Sequence, residues 1–249
     1  MKIVVIGAGG AMGRRVADRL ERRGAQVVRA HRATGVDAAT SEGLTAAVDG
    51  ADVVIDCLNV AAATEAKAVA FFEQTAANIA DAAKAAGARV VLLSISNASD
   101  PAVNAKMGYY KGKARQEQVY REKLGEQLTI VHTTQWFELA LTMSEQFALG
   151  PLAMMPHMVT APLAADDGAD VIVDVALGAS FAGAASIQVR GPERMDLLDV
   201  ARQARKALGR KGKVFSLRFG GPGLTDGSLI PDPADVITST TVKRWLATL

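Results

Sequence analysis

The apolar run Lys2–Ile6 leads directly into the turn Gly7-Ala-Gly-Gly-Ala-Met-Gly13, and a stretch with helical periodicity follows. No other feature constrains the fold as much. A continuous apolar run reads as a strand covered on both faces, as in a parallel sheet. Glycines serve where the backbone turns tightly, approaches a ligand closely, or lets a helix pack on a strand. A helix opening on such a turn leaves its first N–H groups unpaired, and its dipole adds partial positive charge. The turn therefore reads as an anion-binding site. The spacing G-x-G-x-x-G fails because position 12 is Met12, whereas G-x-x-G-x-x-G fits Gly7, Gly10 and Gly13.

The same alternation continues along the chain. Val16 and Leu20 mark one face of a helix that Gly24 ends, and residues 26–30 form a second strand. A helix over 41–48, a strand over 52–58, a long alanine-rich helix over 64–86 closed by Gly87, and a strand over 89–94 come next. A helix over 109–124 closed by Gly125 and a strand over 128–133 complete the regular part. Strands alternating with helices predict an α/β fold with a doubly wound parallel sheet and right-handed crossovers. After Trp136 the pattern loosens. Residues 147–162, rich in Pro and Met, read as an apolar loop; Asp166 or Asp167 caps a helix to Leu177; residues 186–190 form a late strand. A capped helix over 196–208 and a short one near 241–249 follow. With 249 residues and no repeat or linker, the chain reads as one Rossmann domain, 1–249. Its irregular C-terminal third, from about residue 136, is expected to shape a substrate pocket.

Composition excludes several classes. A net charge of +2 asks for neither nucleic acid nor an acidic membrane surface. The single cysteine, Cys57, excludes an intramolecular disulfide and argues against a Cys-based zinc site. His31, His132 and His157 are widely separated, and no metal is assigned. No apolar stretch is long enough to span a bilayer, and no leader precedes the first strand, so a cytoplasmic location is expected. A small-molecule partner is implied, and a homodimer is left open.

On the turn, the anion best suited is a dinucleotide pyrophosphate, contacted by Gly7, Gly9, Gly10, Ala11, Met12 and Gly13. An NAD site places an acid at the end of the second strand, and Val28-Arg29-Ala30-His31-Arg32 has none. Arg32, with Arg29 or His31 beside it and Arg14 assisting, suits a 2′-phosphate, so NADP(H) is expected. Tyr109 and Lys113, spaced i, i+4, share one helix face. A cationic lysine near a phenol lowers its pKa, and such a tyrosine can protonate a carbonyl oxygen while hydride arrives from nicotinamide. Lys113 can also hold the nicotinamide ribose. Ser96 is expected to orient the substrate oxygen, with Ser94 as fallback. Gly112, between Tyr109 and Lys113, counts against the helix by about 1 kcal/mol relative to Ala.

At these residues the chain resembles the short-chain dehydrogenase/reductase superfamily, in its atypical, NmrA-like branch. The matching segments are the 7–13 turn, Gly50-Ala-Asp-Val-Val-Ile-Asp56, Tyr109-x-x-x-Lys113 with Glu117, and Thr133-Thr-Gln-Trp-Phe-Glu138. Pro162-Leu-Ala-Ala-Asp-Asp167 and Gly191-Pro-Glu193 extend the resemblance over roughly residues 1–210. It implies that Leu58 and Asn59 pass near the cofactor, and that Gln135, Trp136 and Phe137 lie near nicotinamide or substrate. His132 departs by standing where arginine is frequent, and Gly168 by interrupting an apolar helix start.

Cys57 reads as a core residue, and the basic run 202–213 as a solvated helix face. Met143, Met154, Met155 and Met158 either line an apolar pocket or pack the core. Three functions are compatible: an NADPH-dependent reductase of C=O or C=N groups, a non-catalytic NADP(H)-responsive regulator, and an isomerase or epimerase with tightly held cofactor.

Overall fold

The computed structural model describes residues 1–61, 64–146, 148–149, 152–217 and 221–249. The first part of the chain gives β1 (Lys2–Ile6), α1 (Ala11–Arg22), β2 (Gln26–Ala30), α2 (Leu44–Val48), β3 (Val53–Asp56) and α3 (Glu65–Ala86). Next come β4 (Arg89–Ile95), α4 (Pro101–Asn104), α5 (Gly108–Leu124), β5 (Leu128–Thr133), α6 (Phe137–Gln146), β6 (Ala148–Leu149), β7 (Leu152–Pro156) and β8 (Val159–Thr160). The chain ends with α7 (Ala165–Leu177), β9 (Ser186–Arg190), β10 (Met195–Asp196), α8 (Leu197–Ala207), β11 (Lys213–Leu217), β12 (Val236–Ile237) and α9 (Val242–Leu246).

Seven strands form one parallel sheet in the order β12-β9-β5-β4-β3-β1-β2. β1 lies between β2 and β3, with Ile3 opposite Val27 on one side and Val53 on the other. The chain thus winds outward in both directions from β1, and the gap between the carboxyl ends of β1 and β3 is where such folds take a ligand.

Two compact units are drawn from interleaved stretches of sequence. The first comprises 1–94, 108–132 and 169–187. Its core packs Val4, Ile6, Val54, Leu92 and Ile130 of the sheet against Ala76, Ile79 and Ala83 of α3 and Val119, Tyr120 and Leu124 of α5. Each large aliphatic side chain buried there contributes about 1.5–3 kcal/mol. Thr64 caps α3 by accepting from Lys67 N, and Gly87 ends it in the left-handed conformation. Gly112 is explained by packing: a Cβ there would sit 2.7 Å from the Phe72 ring and 3.1 Å from the Ala68 backbone of α3. Close approach of α5 to α3 therefore requires the glycine that its helix propensity disfavours.

The second unit comprises 95–107, 133–168 and 188–249. It corrects two sequence expectations and adds a helix. The stretch expected to be an apolar loop contains β7 and β8, and β7 pairs in parallel with β11, Leu152 opposite Lys213. The partner strand lies some sixty residues away, so local patterning carries no trace of the pairing. Residues 147, 150 and 151 of that stretch, and 218–220 of the C-terminal segment, lie outside the described residues. Neither Asp166 nor Asp167 precedes α7; both sit in its first turn, where their charge suits the dipole. The N–H of Ala165 is instead accepted by Glu138 Oε2 at 3.0 Å. Glu138 opens α6, a helix the sequence reading passed over, and its other oxygen accepts from Trp245 Nε1 at 3.2 Å. Among the described residues no helix is long and apolar enough to cross a membrane.

Candidate dinucleotide and proton-transfer site

The glycine turn follows β1 directly. Gly7 adopts φ +78°, and a Cβ there would lie 3.1 Å from the Cys57 carbonyl and 3.2 Å from Leu58 N, just past β3. A Cβ at Gly13 would lie 2.2 Å from the Gly7 carbonyl oxygen, an overlap of backbone with side chain. The turn is thus closed on itself by Gly7 and Gly13, with Gly10 N–H donating to Gly7 O at 2.9 Å. Gly10 is the N-cap of α1 in extended conformation, and no side chain caps the helix. The amides of Ala11 and Met12 therefore face outward without a side-chain acceptor, the arrangement that receives an anion. The Met12 side chain is in the core, so the backbone of this residue, not its thioether, is available. Gly9 leaves room for the His31 ring, which would be 3.4 Å from a Cβ at that position.

The arginines near the end of β2 separate by role. Arg29 is bound by Asp18 and Glu21 of α1 at 2.5 and 2.8 Å, and these hydrogen bonds raise its pKa further. Its guanidinium is occupied, which corrects the expectation that it could read a phosphate. Arg32 is exposed and has no side-chain partner in the described residues. Arg14 donates to Gly9 O at 3.1 Å. Among the described residues no acid stands at the end of β2, the place where a ribose-binding carboxylate would be.

Asp56 ends β3 fully buried. Its Oδ1 accepts from Leu58 N at 2.8 Å, and its Oδ2 accepts from Gln116 Nε2 at 2.8 Å and the Tyr120 hydroxyl at 2.9 Å. Burial pushes its carboxyl up, against the lowering influence of Lys113, Leu58, Tyr120 and Gln116. Gln116 in turn accepts from Lys113 Nζ at 2.5 Å, and Lys113 also donates to the Leu93 carbonyl at 2.8 Å. A continuous set of bonds thus links the backbone beside Gly7 to Lys113 on α5. The sequence reading missed Asp56, Gln116 and Tyr120 as a unit. The available signal was an acid ending an otherwise apolar strand, since a buried carboxylate must find donors.

Lys113 lies with its Nζ 5.0 Å from the centre of the Phe72 ring, and burial pulls its pKa down to about 8, with Asp56 and Glu117 opposing. Tyr109 packs edge-on to the same ring, centroids 5.7 Å apart, and to Tyr110 at 6.0 Å. Burial pushes the Tyr109 phenol up to about 12. The expected lowering by Lys113 is therefore not what the structure shows: desolvation dominates, and Lys113 is directed to Leu93 and Gln116. Tyr109 holds its proton over the whole neutral range, as a donor must.

One turn further along α5, Glu117 is buried with three donors: Ser94 Oγ at 2.6 Å, His132 Nε2 at 3.0 Å and Arg121 Nη1 at 3.1 Å. Desolvation would raise this carboxyl, but His132, Ser94 and Arg121 together hold it below the ordinary range. His132 Nδ1 meets Ser186 Oγ at 3.2 Å. The departure at position 132 is thus absorbed by an internal hydrogen bond to Glu117, and Ser94, the fallback substrate residue, is engaged by Glu117 as well.

The remaining candidates fall as follows. Leu58 is half-buried and Asn59 exposed, with Asn59 Oδ1 accepting from Val60 N at 2.8 Å. Ser96 is fully buried; its N–H donates to Thr133 O at 3.0 Å, and its hydroxyl has no partner among the described residues. Gln135 is buried, its backbone carbonyl accepting from Leu163 N at 3.1 Å. Trp136 Nε1 donates to Thr133 Oγ1 at 3.1 Å. Phe137 is fully buried and stacked on Trp245 at 5.3 Å. Met155 and Met158 are buried as well, whereas Met154 is exposed. Cys57 is buried and its thiol is pushed far up by desolvation, as a packing residue's would be. Among the described residues no cluster of His, Cys, Asp or Glu is arranged for a metal.

Residues 3–108 match the model of the NAD dependent epimerase/dehydratase family. No curated protein matches the chain. Among solved structures, the chain is similar to dTDP-4-dehydrorhamnose reductase from Bacillus anthracis in complex with NADP, at TM-score 0.72 and 13% identity over 99% of this chain and 96% of that one. It is also similar to a short-chain dehydrogenase/reductase superfamily protein from Agrobacterium tumefaciens with bound NAD, at TM-score 0.70 and 15% identity over 100% and 95% of the two chains. A third likeness is to MoeE5 in complex with UDP-glucuronic acid and NAD, at TM-score 0.75 and 11% identity over 100% and 97%. These likenesses show the fold, a Rossmann-type α/β arrangement around a parallel central sheet.

Proposed function

We propose that this chain is an NADPH-dependent reductase of a C=O group, or of a C=N group, in a small apolar compound. The observation that carries the reading is the uncapped start of α1 behind Gly7, Gly10 and Gly13, closed against the backbone just past β3. A Cβ at Gly7 would crowd that backbone at 3.1 Å and one at Gly13 would overlap the Gly7 carbonyl oxygen at 2.2 Å, so the turn stays tight enough for a pyrophosphate to approach its backbone. A nicotinamide dinucleotide bound there supplies hydride. Arg32 reads the 2′-phosphate, and His31 covers the turn beside Gly9. Tyr109 gives the proton, and Lys113 holds the ribose and places positive charge near the reacting oxygen. Leu58 and Asn59 border the cofactor. Ser96, Gln135 and Trp136 are carried as substrate-contacting candidates, with the pocket drawn from the C-terminal third. NmrA-like membership rests on the glycine spacing and the Thr133–Glu138 block of residues.

The experiment is turnover of a ketone, imine and quinone panel with NADPH by the native chain and by Tyr109→Phe. Loss of about a hundredfold or more in kcat with unchanged NADPH affinity supports a donor role. Equal rates for both proteins remove it.

Two other readings have an observation behind them. A non-catalytic NADP(H)-responsive protein is favoured by Lys113 donating to Leu93 and Gln116 rather than facing the phenol. It predicts cofactor binding with no turnover across the panel. An epimerase with tightly held cofactor is favoured by the family match over residues 3–108. It predicts that nicotinamide dinucleotide is recovered from the purified protein.

A further inference from the structure

The basic run 202–213, which covers the end of α8 and the turn after it, departs from a solvated helix face at one residue. Arg205 lies on the buried side of α8 with Leu198, Ala201 and Ala204, and only 7% of it is exposed. Its Nη2 donates to the Lys211 carbonyl at 3.2 Å, while its Nε is buried without an acceptor. No carboxylate pairs with it among the described residues. Its neighbours do have such partners: Arg202 meets Asp199 at 2.9 Å, and Arg210 meets Glu145. Arg205, Lys206 and Lys213 remain as cations without a counter-ion among the described residues. All three line a cavity of about 670 Å³, whose walls also include Gly209, Gly212 and Phe215, and no acidic side chain lines it among the described residues.

A buried guanidinium is costly unless an anion offsets its desolvation. The carbonyl end of α8 supplies roughly half a negative charge. That is too little for three full positive charges around one cavity, so the balance must come from solvent ions or from a ligand. A planar guanidinium flanked by two ammonium groups suits a polyvalent oxyanion better than a single carboxylate. The cavity has room beyond an anion, and Phe215, 47% exposed, offers apolar surface to an organic group.

We propose that this cavity is a binding site for a phosphoryl oxyanion, held by Arg205, Lys206 and Lys213. The phosphoryl group belongs either to a free phosphorylated compound or to a lipid headgroup; the recognition chemistry is shared. The site is separate from the glycine turn, and it does not depend on the reductase reading.

The test is calorimetric titration of the full chain with inorganic pyrophosphate, together with sedimentation on phosphatidylcholine vesicles with and without a phosphoinositide. The glycine turn is a second pyrophosphate site, and the double charge reversal Lys206→Glu with Lys213→Glu leaves it intact. The reversal is expected to remove one pyrophosphate site, or to weaken it at least tenfold, without changing NADPH affinity. Arg205→Met is expected to lose the same site while melting at the same temperature as the native chain or higher. A purely structural Arg205 would instead lower the melting temperature and leave the anion affinity unchanged. Pyrophosphate binding without vesicle binding assigns a free phosphoryl compound. Phosphoinositide-dependent sedimentation that the reversal abolishes assigns a lipid headgroup. If the reversal variant binds pyrophosphate as the native chain does and neither sediments with vesicles, the proposal is overturned.

Discussion

Lys113 reaches from α5 to the carboxyl end of β4, where its Nζ donates to the Leu93 carbonyl at 2.8 Å. The contact, with that to Gln116, sets the lysine at the strand end where a cofactor ribose is expected in the proposed reaction. It also makes the charge state of Lys113 a function of its surroundings. Burial favours neutral lysine, Asp56 favours the cation, and the result is a pKa near 8.

The proposed ribose contact and the charge near the reacting oxygen both need the protonated amine. Activity and NADPH affinity should therefore fall as pH rises through about 8. Asp56→Asn removes an influence that raises the Lys113 pKa, so the alkaline limb should move to lower pH. Stability runs the opposite way. With the folded pKa depressed, the unfolded chain binds more protons between about 8 and the ordinary lysine range, and the Lys113 contribution to stability improves as pH rises through that window. Profiles of kcat/KM and of melting temperature against pH check both signs. A shift of the limb upward in Asp56→Asn would contradict the coupling.

Gly13→Ala puts a methyl group where the Gly7 carbonyl oxygen stands, 2.2 Å away. The turn must shift, at a cost of about 1–3 kcal/mol. Dinucleotide affinity should drop tenfold or more while the far-ultraviolet dichroism stays native. Fluorescence titration with NADPH measures it, and an unchanged dissociation constant would mean that the turn does not hold the cofactor.

Arg32→Ala should weaken NADPH binding about tenfold, the loss of one charged hydrogen bond of about 1.5 kcal/mol. NADH binding should stay as it was. Arg29→Ala should leave the NADPH-to-NADH ratio unchanged, because Asp18 and Glu21 already occupy that guanidinium. Parallel titrations of both variants with both cofactors decide between the two arginines.

Glu117→Ala leaves His132 and Ser94 buried without their acceptor, and removing one member of a buried pair costs about 3 kcal/mol or more. In the native chain the lowered Glu117 carboxyl contributes stability that is present above its ordinary pKa and is lost as pH falls through the folded value. The melting temperature of the native chain should drop on acidification more steeply than that of Glu117→Gln. Parallel acid profiles for the two proteins would contradict this.

The N-terminal half of the fold was legible because its signals are local. An apolar run, a glycine turn and an amphipathic helix each occupy a dozen residues or fewer, and β1, α1, β2 and β5 lie where the pattern places them. What was not legible depends on partners distant in sequence. β7 exists because β11 pairs with it, and Ala165 N is accepted by Glu138, twenty-seven positions earlier. The candidate site divides the same way. Gly7, Gly10 and Gly13 follow from spacing, whereas the direction of Lys113 is set by Gln116 on its own helix, which Asp56 of β3 engages, and by the Leu93 carbonyl of β4. Gly112 shows how the two levels compete: propensity counts it against the helix, and the contact with Phe72 and Ala68 requires it.

The most direct measurement is a thermal-shift titration of the native chain and Gly13→Ala with NADPH and NADH in parallel. A ligand that binds only the folded state stabilises it by about 2.7 kcal/mol at a hundred times its dissociation constant. A clear upward shift of the native chain with NADPH, smaller with NADH and absent in Gly13→Ala, is the expected result. No shift with either dinucleotide would contradict the account at its base, because the proposed proton donation by Tyr109 presupposes a hydride-donating cofactor on the glycine turn.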